Sequence, residues 1–177
     1  LVFLRETENG NPQWKYAREY EDLLPPIQSW LATADFNCDG RTDILRIADA
    51  PYGWGVWLSN GSNVIQSSFQ GSWPGKDQRF YLGDFNGDGK TDFFLANRSG
   101  PSDNGWHLFL STGSNFERTW YTPWLNSSGG VTTQNSHTFY PADINADGMT
   151  DMVIVMPDLV TKVYLSDGRN LIASGNL

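Results

Sequence analysis

A nine-residue pattern of oxygen-bearing side chains occurs three times in the chain. Each copy reads D-x-N-x-D-G-x-T-D, and the copies begin at Asp35, Asp84 and Asp143. Carboxylate or amide oxygens stand at positions 1, 3, 5 and 9, and glycine stands at position 6. Calcium takes roughly six to eight oxygen ligands, and a glycine that tolerates positive φ allows the sharp turn that gathers them. The pattern therefore predicts three calcium-binding loops, with about one ion in each.

The predicted ligands are the side chains at positions 1, 3, 5 and 9 and the backbone carbonyl at position 7, where the side chains share no chemistry. They are Asp35, Asn37, Asp39, Arg41 and Asp43 in the first loop, Asp84, Asn86, Asp88, Lys90 and Asp92 in the second, and Asp143, Asn145, Asp147, Met149 and Asp151 in the third. An ordinary Asp/Asn/Gly turn would explain one such loop. Three copies that share five identities, with threonine at position 8 each time, make coincidence improbable. An EF-hand is excluded because position 12 is Arg46, Leu95 or Ile154 instead of glutamate.

The acidity of the chain belongs mainly to these loops. The net charge is −8, and the loops contribute −7 of it through nine aspartates and two cations. Bound calcium would offset most of that charge, so the acidity does not indicate a cationic partner. The carboxylates of each loop repel one another without an ion, and we expect calcium to stabilise the fold rather than to catalyse a reaction.

Composition narrows the class of protein further. The chain has 177 residues, enough for one domain with a core. It has no basic face for nucleic acid and no apolar run long enough to span a membrane. Cys38 is its single cysteine, so no intrachain disulfide can form. The chain begins with Leu1, which favours a processed or trimmed piece.

The surroundings of the loops repeat as well. The loop starts lie 49 and 59 residues apart, and each loop follows an aromatic strand and precedes an apolar one. A third strand ends each time in a Ser-x-Gly turn, and a fourth is plausible at Val64–Gln70 and Phe116–Tyr121. Four short antiparallel strands per repeat are typical of a propeller blade. The expected repeats are 30–78, 79–137 and 138–177, with an incomplete one at 1–29, and 126–137 is interpreted as a surface loop.

The sequence thus predicts a single all-β domain over 1–177, a partial β-propeller of about three and a half four-stranded blades. Val2-Phe-Leu-Arg5 and Gln13-Trp-Lys-Tyr-Ala17 are interpreted as the second and third strands of the incomplete blade. Complete propellers have about four to eight blades. The remaining blades therefore come from the same longer protein or from a second copy of the chain.

The loop pattern, following the aromatic-Gly-Asp step Tyr81-Leu-Gly83-Asp84, resembles the FG-GAP/VCBS repeats. These are the calcium-bearing blades of integrin α-subunit propellers, and they resemble the blades of propeller lectins and of large bacterial toxins. The segments at 53–62 and 105–114 look closest to the bacterial secreted and toxin-associated versions. The resemblance covers nearly the whole chain. It implies calcium ligation by the loop residues and a secreted or cell-surface location. Ala34 and Ala142 depart from the family where Gly83 keeps its glycine, which affects packing and not ligation.

Other chemistry-bearing residues give weaker signals. Trp57 and Trp106 are expected in blade packing, whereas Trp54, Trp73 and Trp124 are expected in Gly/Pro-containing loops, where a sugar could stack on them. His107 and His137 are expected to be surface or edge histidines, since no nucleophile motif accompanies them.

Three functions remain open at this level. The first is a non-catalytic recognition module for a glycan or cell-surface partner, which the loop aromatics favour. The second is a scaffold segment of a larger secreted toxin or surface protein. The third is a non-catalytic part of an enzyme whose catalytic residues lie elsewhere.

Overall fold

The structure, a computed structural model, describes residues 2–8, 11–18, 29–48, 53–71, 76–99, 105–123 and 137–176. Over these ranges the chain contains fourteen β-strands and no helix. The strands form one two-stranded sheet and three four-stranded sheets, all antiparallel. The prediction of an all-β chain built from four-stranded blades is therefore confirmed. The blades formed by the described residues do not close into a ring.

The three four-stranded sheets are the first, second and third blades. The N-terminal pair is β1 (Val2–Glu8) and β2 (Asn11–Arg18). The first blade contains β3 (Ser29–Ala34), β4 (Asp43–Ala48), β5 (Gly53–Ser59) and β6 (Val64–Gly71). The second contains β7 (Lys76–Gly83), β8 (Asp92–Ser99), β9 (Gly105–Ser111) and β10 (Phe116–Pro123). The third contains β11 (Thr138–Ala142), β12 (Asp151–Val155), β13 (Thr161–Ser166) and β14 (Leu171–Asn176).

Within each blade the strands pair in chain order, so each predicted calcium loop joins the first strand to the second. The two predicted fourth strands exist as β6 and β10. The second blade begins at Lys76, slightly before the predicted boundary at 79. The third and fourth strands of every blade share a register irregularity, near Trp57, Trp120 and Tyr164. Such a bulge increases the local twist, which suits a propeller blade.

The core lies between neighbouring blades rather than within one. One cluster joins the first and second blades and contains the fully buried Phe36, Leu45 and Phe69. A second cluster joins the second and third blades and contains Trp106 and Met152. The middle strands of the second blade are therefore covered on both faces, and every residue of β9 is buried. This arrangement explains why the alternation of apolar and polar residues is imperfect.

Some interpretations from the sequence concern residues that lie outside the ranges that the structure describes. The surface loop expected at 126–137 lies outside it except for His137, and Trp73 and Trp124 lie outside it entirely. The role of β1 and β2 as part of an incomplete blade stays a prediction. The described residues include no helix that is long and apolar enough to cross a membrane.

Candidate metal loops and their surroundings

The loop side chains at positions 1, 3 and 5 converge in the same way in all three copies. In the first loop the amide of Asp39 donates to Asp35 Oδ1 and to Asn37 Oδ1, both at 3.2 Å. The amide of Gly40 donates to Asp35 Oδ2 at 2.8 Å. Matching bonds occur in the second loop and the third. The predicted turn at position 6 is also present, with φ of +78°, +82° and +86° at Gly40, Gly89 and Gly148.

The residue at position 4 shares the left-handed conformation. Cys38, Gly87 and Ala146 have φ of 60°, 72° and 61°. A second left-handed residue two positions before the glycine winds the backbone tightly, which brings the amides of positions 5 and 6 toward the carboxylate of position 1. The loop shape is therefore a property of the repeat and not of any one side chain at position 4.

The aspartate at position 9 has a different environment from the other three oxygen donors. Asp43, Asp92 and Asp151 open the second strand of each blade and are fully buried. In the second loop, Asp92 Oδ2 accepts the amide of Phe85 at 2.8 Å and Oδ1 accepts the amide of Ser111 at 2.7 Å. The first and third loops repeat this pattern. This carboxylate therefore ties the loop to the end of the third strand of its own blade.

Burial makes this position electrostatically unfavourable for a lone carboxylate. Desolvation raises the pKa of Asp92 to about 7, against the amides of Ser111 and Phe85, which lower it. The carboxylates at positions 1 and 5 of the same loop raise the pKa further. Burial likewise raises the pKa of Asp43. A cation held between these groups would favour the ionised forms.

The side chain at position 7 forms an ion pair within its own loop in two of the three copies. Arg41 donates to Asp39 Oδ2 and Lys90 donates to Asp88 Oδ2, each at 2.8 Å. Desolvation alone would raise the pKa of Asp39 and Asp88. Hydrogen bonds and the nearby cation outweigh it, so the pKa of both carboxyl groups is lowered. The carbonyl ligand at position 7 stays a prediction, and the ion pair forms because a long cation at this position can reach back two residues. Met149 offers no such charge in the third loop.

The donor set is compatible with calcium. Every candidate side-chain ligand at positions 1, 3, 5 and 9 carries oxygen, which calcium prefers, and each carboxylate has about four lone-pair sites, more than the observed amide bonds use. Among the described residues, no group of three or more His, Cys, Asp or Glu side chains is arranged as a metal site. The backbone amide bonds of the loop bring the side chains at positions 1, 3 and 5 together. The side chain at position 9 is held instead by the amide of position 2 and the amide of the serine that ends the third strand.

Adjacent loops are bonded to each other. The amide of Thr91 donates to the carbonyl of Asp35 at 2.9 Å, and the amide of Thr150 donates to the carbonyl of Asp84 at 2.6 Å. The repeated threonine at position 8 therefore lies at the junction with the preceding blade. The loops therefore form a continuous row from the first blade to the third.

A serine at the end of the third strand makes a second link between blades, which the sequence interpretation missed. Ser111 Oγ donates to the carbonyl of Phe36 at 2.6 Å, and Ser166 Oγ donates to the carbonyl of Phe85 at 2.5 Å. The available signal was the repeated Leu-Ser-x-Gly that closes each third strand at 58–61, 110–113 and 165–168. From the sequence alone, this serine is interpreted only as part of a turn.

Loop position 2 is more exposed in the third blade than in the first two blades. Position 2 of the loop is fully buried as Phe36 and Phe85, whereas Ile144 is 45% exposed. Tyr140, in the first strand of the third blade, is 54% exposed. At the other end, Ser59 occupies the place of Ser111 and Ser166, and its hydroxyl donates to no acceptor among the described residues. Among the described residues, Ile144 and Ser59 therefore carry parts of the inter-blade contact that have no counterpart on a neighbouring blade.

The tryptophan and histidine predictions had mixed outcomes. Trp57 and Trp106 are buried, as expected for blade packing. The loop location of Trp54 is wrong, because it lies within β5, where its ring contacts Phe69 and Phe116 edge-on at centroid distances of 5.9 and 5.3 Å. The neighbouring glycines favour a loop when the sequence is considered alone. Gly71 instead makes room for the indole, since a Cβ there would lie 2.6 Å from the Trp54 ring.

The histidines are not at the surface, which corrects the expectation from the sequence. His107 and His137 are 0% and 2% exposed. His107 lies in the middle strand β9, which is covered on both faces, and His137 contacts the Trp106 ring edge-on at 5.6 Å. Burial between blades explains both positions.

Comparison with known proteins agrees with this repeat structure. The model of the FG-GAP-like repeat family matches the chain twice, at residues 35–95 and 84–154, which together span more than half of it. A solved lectin of Agrocybe aegerita, described as specifically recognising non-reducing terminal N-acetylglucosamine, has a similar fold with a TM-score of 0.66 and 17% identity. The match covers 99% of this chain and 46% of the lectin chain. No curated protein matches the sequence.

Proposed function

Because the chain belongs to the FG-GAP-like repeat family, we propose that it is a calcium-stabilised β-propeller module that recognises a glycan without catalysing a reaction. The observation that carries the calcium part is the repeated convergence of the oxygen donors at positions 1, 3 and 5 beside a buried carboxylate at position 9. The glycan part is supported by the fold shared with a lectin. A secreted or cell-surface location belongs to the same proposal.

In this proposal calcium acts through stability. The ion supplies positive charge to a loop that holds three aspartates, and binding to the folded state stabilises it by mass action. The residues of the chain prepare the loop for the ion: the two left-handed residues shape it, and the buried aspartate ties it to the third strand. Because adjacent loops are bonded through Thr91 and Thr150, an ordered loop also supports its neighbour.

For the recognition part, the sequence offers Trp54, Trp73 and Trp124 as candidates for contact with a sugar. The packing of Trp54 against Phe69 and Phe116 leaves it only partly available. Trp73 and Trp124 remain candidates from the sequence alone.

A second candidate function is that of a scaffold segment in a larger secreted toxin or surface protein. The exposure of Ile144, at a position that is buried in the other two blades, favours it. We propose that a further blade of the same kind covers this face, supplied either by the rest of a longer protein or by a second copy. A mass measurement in solution distinguishes these sources, because a second copy gives a dimer and the chain alone otherwise stays monomeric.

A glycan array tests the recognition proposal. The protein is applied in millimolar calcium and again in EDTA, with circular dichroism to verify that it is folded in calcium. We expect calcium-dependent binding to a defined class of sugar. If folded, calcium-loaded protein binds no glycan on the array, glycan recognition is contradicted and the scaffold function is the better account.

A further inference from the structure

A cleft lies between the first strands of the first and second blades. Its volume is about 510 Å³, and it is lined by Trp30 of β3 and by Arg79, Phe80 and Tyr81 of β7. Ligand sites in proteins are typically clefts of about 300–1,000 Å³ with a mainly apolar lining and a few placed polar groups. This cleft has that size, and its described lining combines three aromatic side chains with one cation.

The aromatic part of the cleft combines an open ring with an anchored one. Trp30 is 55% exposed, although it is a large apolar side chain. Tyr81 is held by ring contacts with Phe139 and Phe94, at centroid distances of 5.3 and 6.4 Å. An exposed indole offers a flat apolar face with a polar N–H, which suits the C–H face of a pyranose ring.

Arg79 supplies the charged part. Its side chain is exposed, and it forms no ion pair with the described residues. A guanidinium presents several N–H donors in a planar fork that matches a carboxylate in a bidentate manner. The cleft therefore places a carboxylate-binding group on the same surface as a sugar-stacking ring.

The acidic loops do not cancel this charge. Trp30 and Arg79 each precede the first aspartate of their loop by five residues, which is roughly 17 Å along a strand at about 3.4 Å per residue. The Debye length at physiological salt is about 8 Å, so the loop carboxylates are largely screened from the cleft.

The repeat provides an internal comparison for this pair. Trp30, Arg79 and Thr138 occupy the same place in the three blades. The junction between the second and third blades therefore has Arg79 and Thr138 where the first junction has Trp30 and Arg79. Only the first junction, among the described residues, combines an exposed indole with a guanidinium at this place.

We propose that this cleft binds an acidic saccharide, with a uronic acid ring stacked on Trp30 and its carboxylate bound by Arg79. The inference rests on the proposed glycan recognition and gives it a site and a ligand class. It also separates this chain from its lectin neighbour, whose described ligand, N-acetylglucosamine, carries no carboxylate.

The test compares a trisaccharide of galacturonic acid with the galactose trisaccharide of the same linkage, and with N-acetylglucosamine. Binding is measured by titration calorimetry in millimolar calcium, on wild-type protein and on Trp30→Ala and Arg79→Gln. Tyr140→Ala and Arg169→Gln are the matched controls, since they remove an exposed aromatic ring and an exposed cation from the third blade. Thermal melts establish that each variant is folded, and Trp30→Phe replaces Trp30→Ala if the latter is not.

The wild-type protein should prefer the uronic trisaccharide over its neutral counterpart by about tenfold or more, the change expected from a charge-assisted hydrogen bond. Arg79→Gln should abolish that preference, Trp30→Ala should weaken binding of the uronic sugar by about tenfold or more, and the controls should behave as wild type. Unchanged binding in both cleft variants would overturn this site while leaving glycan recognition intact. A preference for N-acetylglucosamine would overturn the ligand class. No binding to any sugar here or on the array would overturn both proposals.

Discussion

Replacing Gly83 with alanine tests how tightly the second and third blades pack beside their loops. A Cβ at Gly83 would lie 2.6, 2.7 and 2.8 Å from the Cγ2, Oγ1 and Cβ atoms of Thr150. Ordinary van der Waals contacts are about 3.4–4 Å, and a β-branched threonine has little rotamer freedom with which to move away. The amide of Thr150 also donates to the Asp84 carbonyl at 2.6 Å, which holds its backbone in place.

The expected magnitude follows from these contacts. Overpacking of this kind destabilises the folded state by about 1–3 kcal/mol. Replacing glycine also lowers the conformational entropy of the unfolded chain, which stabilises the protein by about 0.4–1 kcal/mol. Gly83 ends β7 and is not in the left-handed region, so backbone strain does not add to the cost. We expect a net loss of roughly 1–2 kcal/mol in the free energy of unfolding, which for a chain of this size corresponds to about 2–8 °C in melting temperature.

The assay is urea unfolding followed by tryptophan fluorescence in saturating calcium. The double variant Gly83→Ala with Thr150→Gly completes a double-mutant cycle, and a coupling free energy of about 1 kcal/mol or more would identify the steric contact as the cause. Ala34 already occupies the matching place at the first junction, where the corresponding bond from Thr91 is longer, at 2.9 Å. A Gly83→Ala variant as stable as wild type would refute the reasoning.

Three further predictions follow from the loops and their links. Ser166→Ala should lower the free energy of unfolding by about 1–2 kcal/mol, because it leaves the buried carbonyl of Phe85 without its donor, whereas Ser59→Ala should change it by less than about 0.5 kcal/mol. In EDTA, the free energy of unfolding should fall as pH rises from 5 to 7. In that window folded Asp92, with a pKa raised to about 7, keeps a proton that the unfolded chain has released, and the slope is at most about 1.4 kcal/mol per pH unit. Removal of calcium at pH 7 should lower the melting temperature clearly while part of the sheet signal remains.

Each of these has a result that contradicts it. Equal losses in Ser166→Ala and Ser59→Ala would show that the bond between blades does not stabilise the fold. Stability in EDTA that is constant or increases from pH 5 to 7, measured by urea titration, would refute the raised pKa of Asp92. Identical melting curves for metal-stripped and calcium-loaded protein would exclude calcium as a stabilising ligand.

The local features of this protein were determined by the sequence. The loop pattern is short and repeated, so residue types and spacing suffice to predict where the oxygen donors lie and that glycine turns the backbone. The strands on either side of each loop are adjacent in the chain, and consecutive pairing makes the blade predictable from the same repeat. Burial of Trp57 and Trp106 followed from their places in those strands.

Only the tertiary structure decided what lies between blades. The inward position of Asp92, the bond from Ser166 to Phe85 and the cleft beside Trp30 each join residues that are distant in sequence or belong to different sheets. Trp54 and His107 were misplaced for the same reason, since a glycine or a polar residue in one strand gives no information about the sheet that packs against it. Contacts across blades depend on how neighbouring sheets face each other, and that arrangement is a property of the whole core.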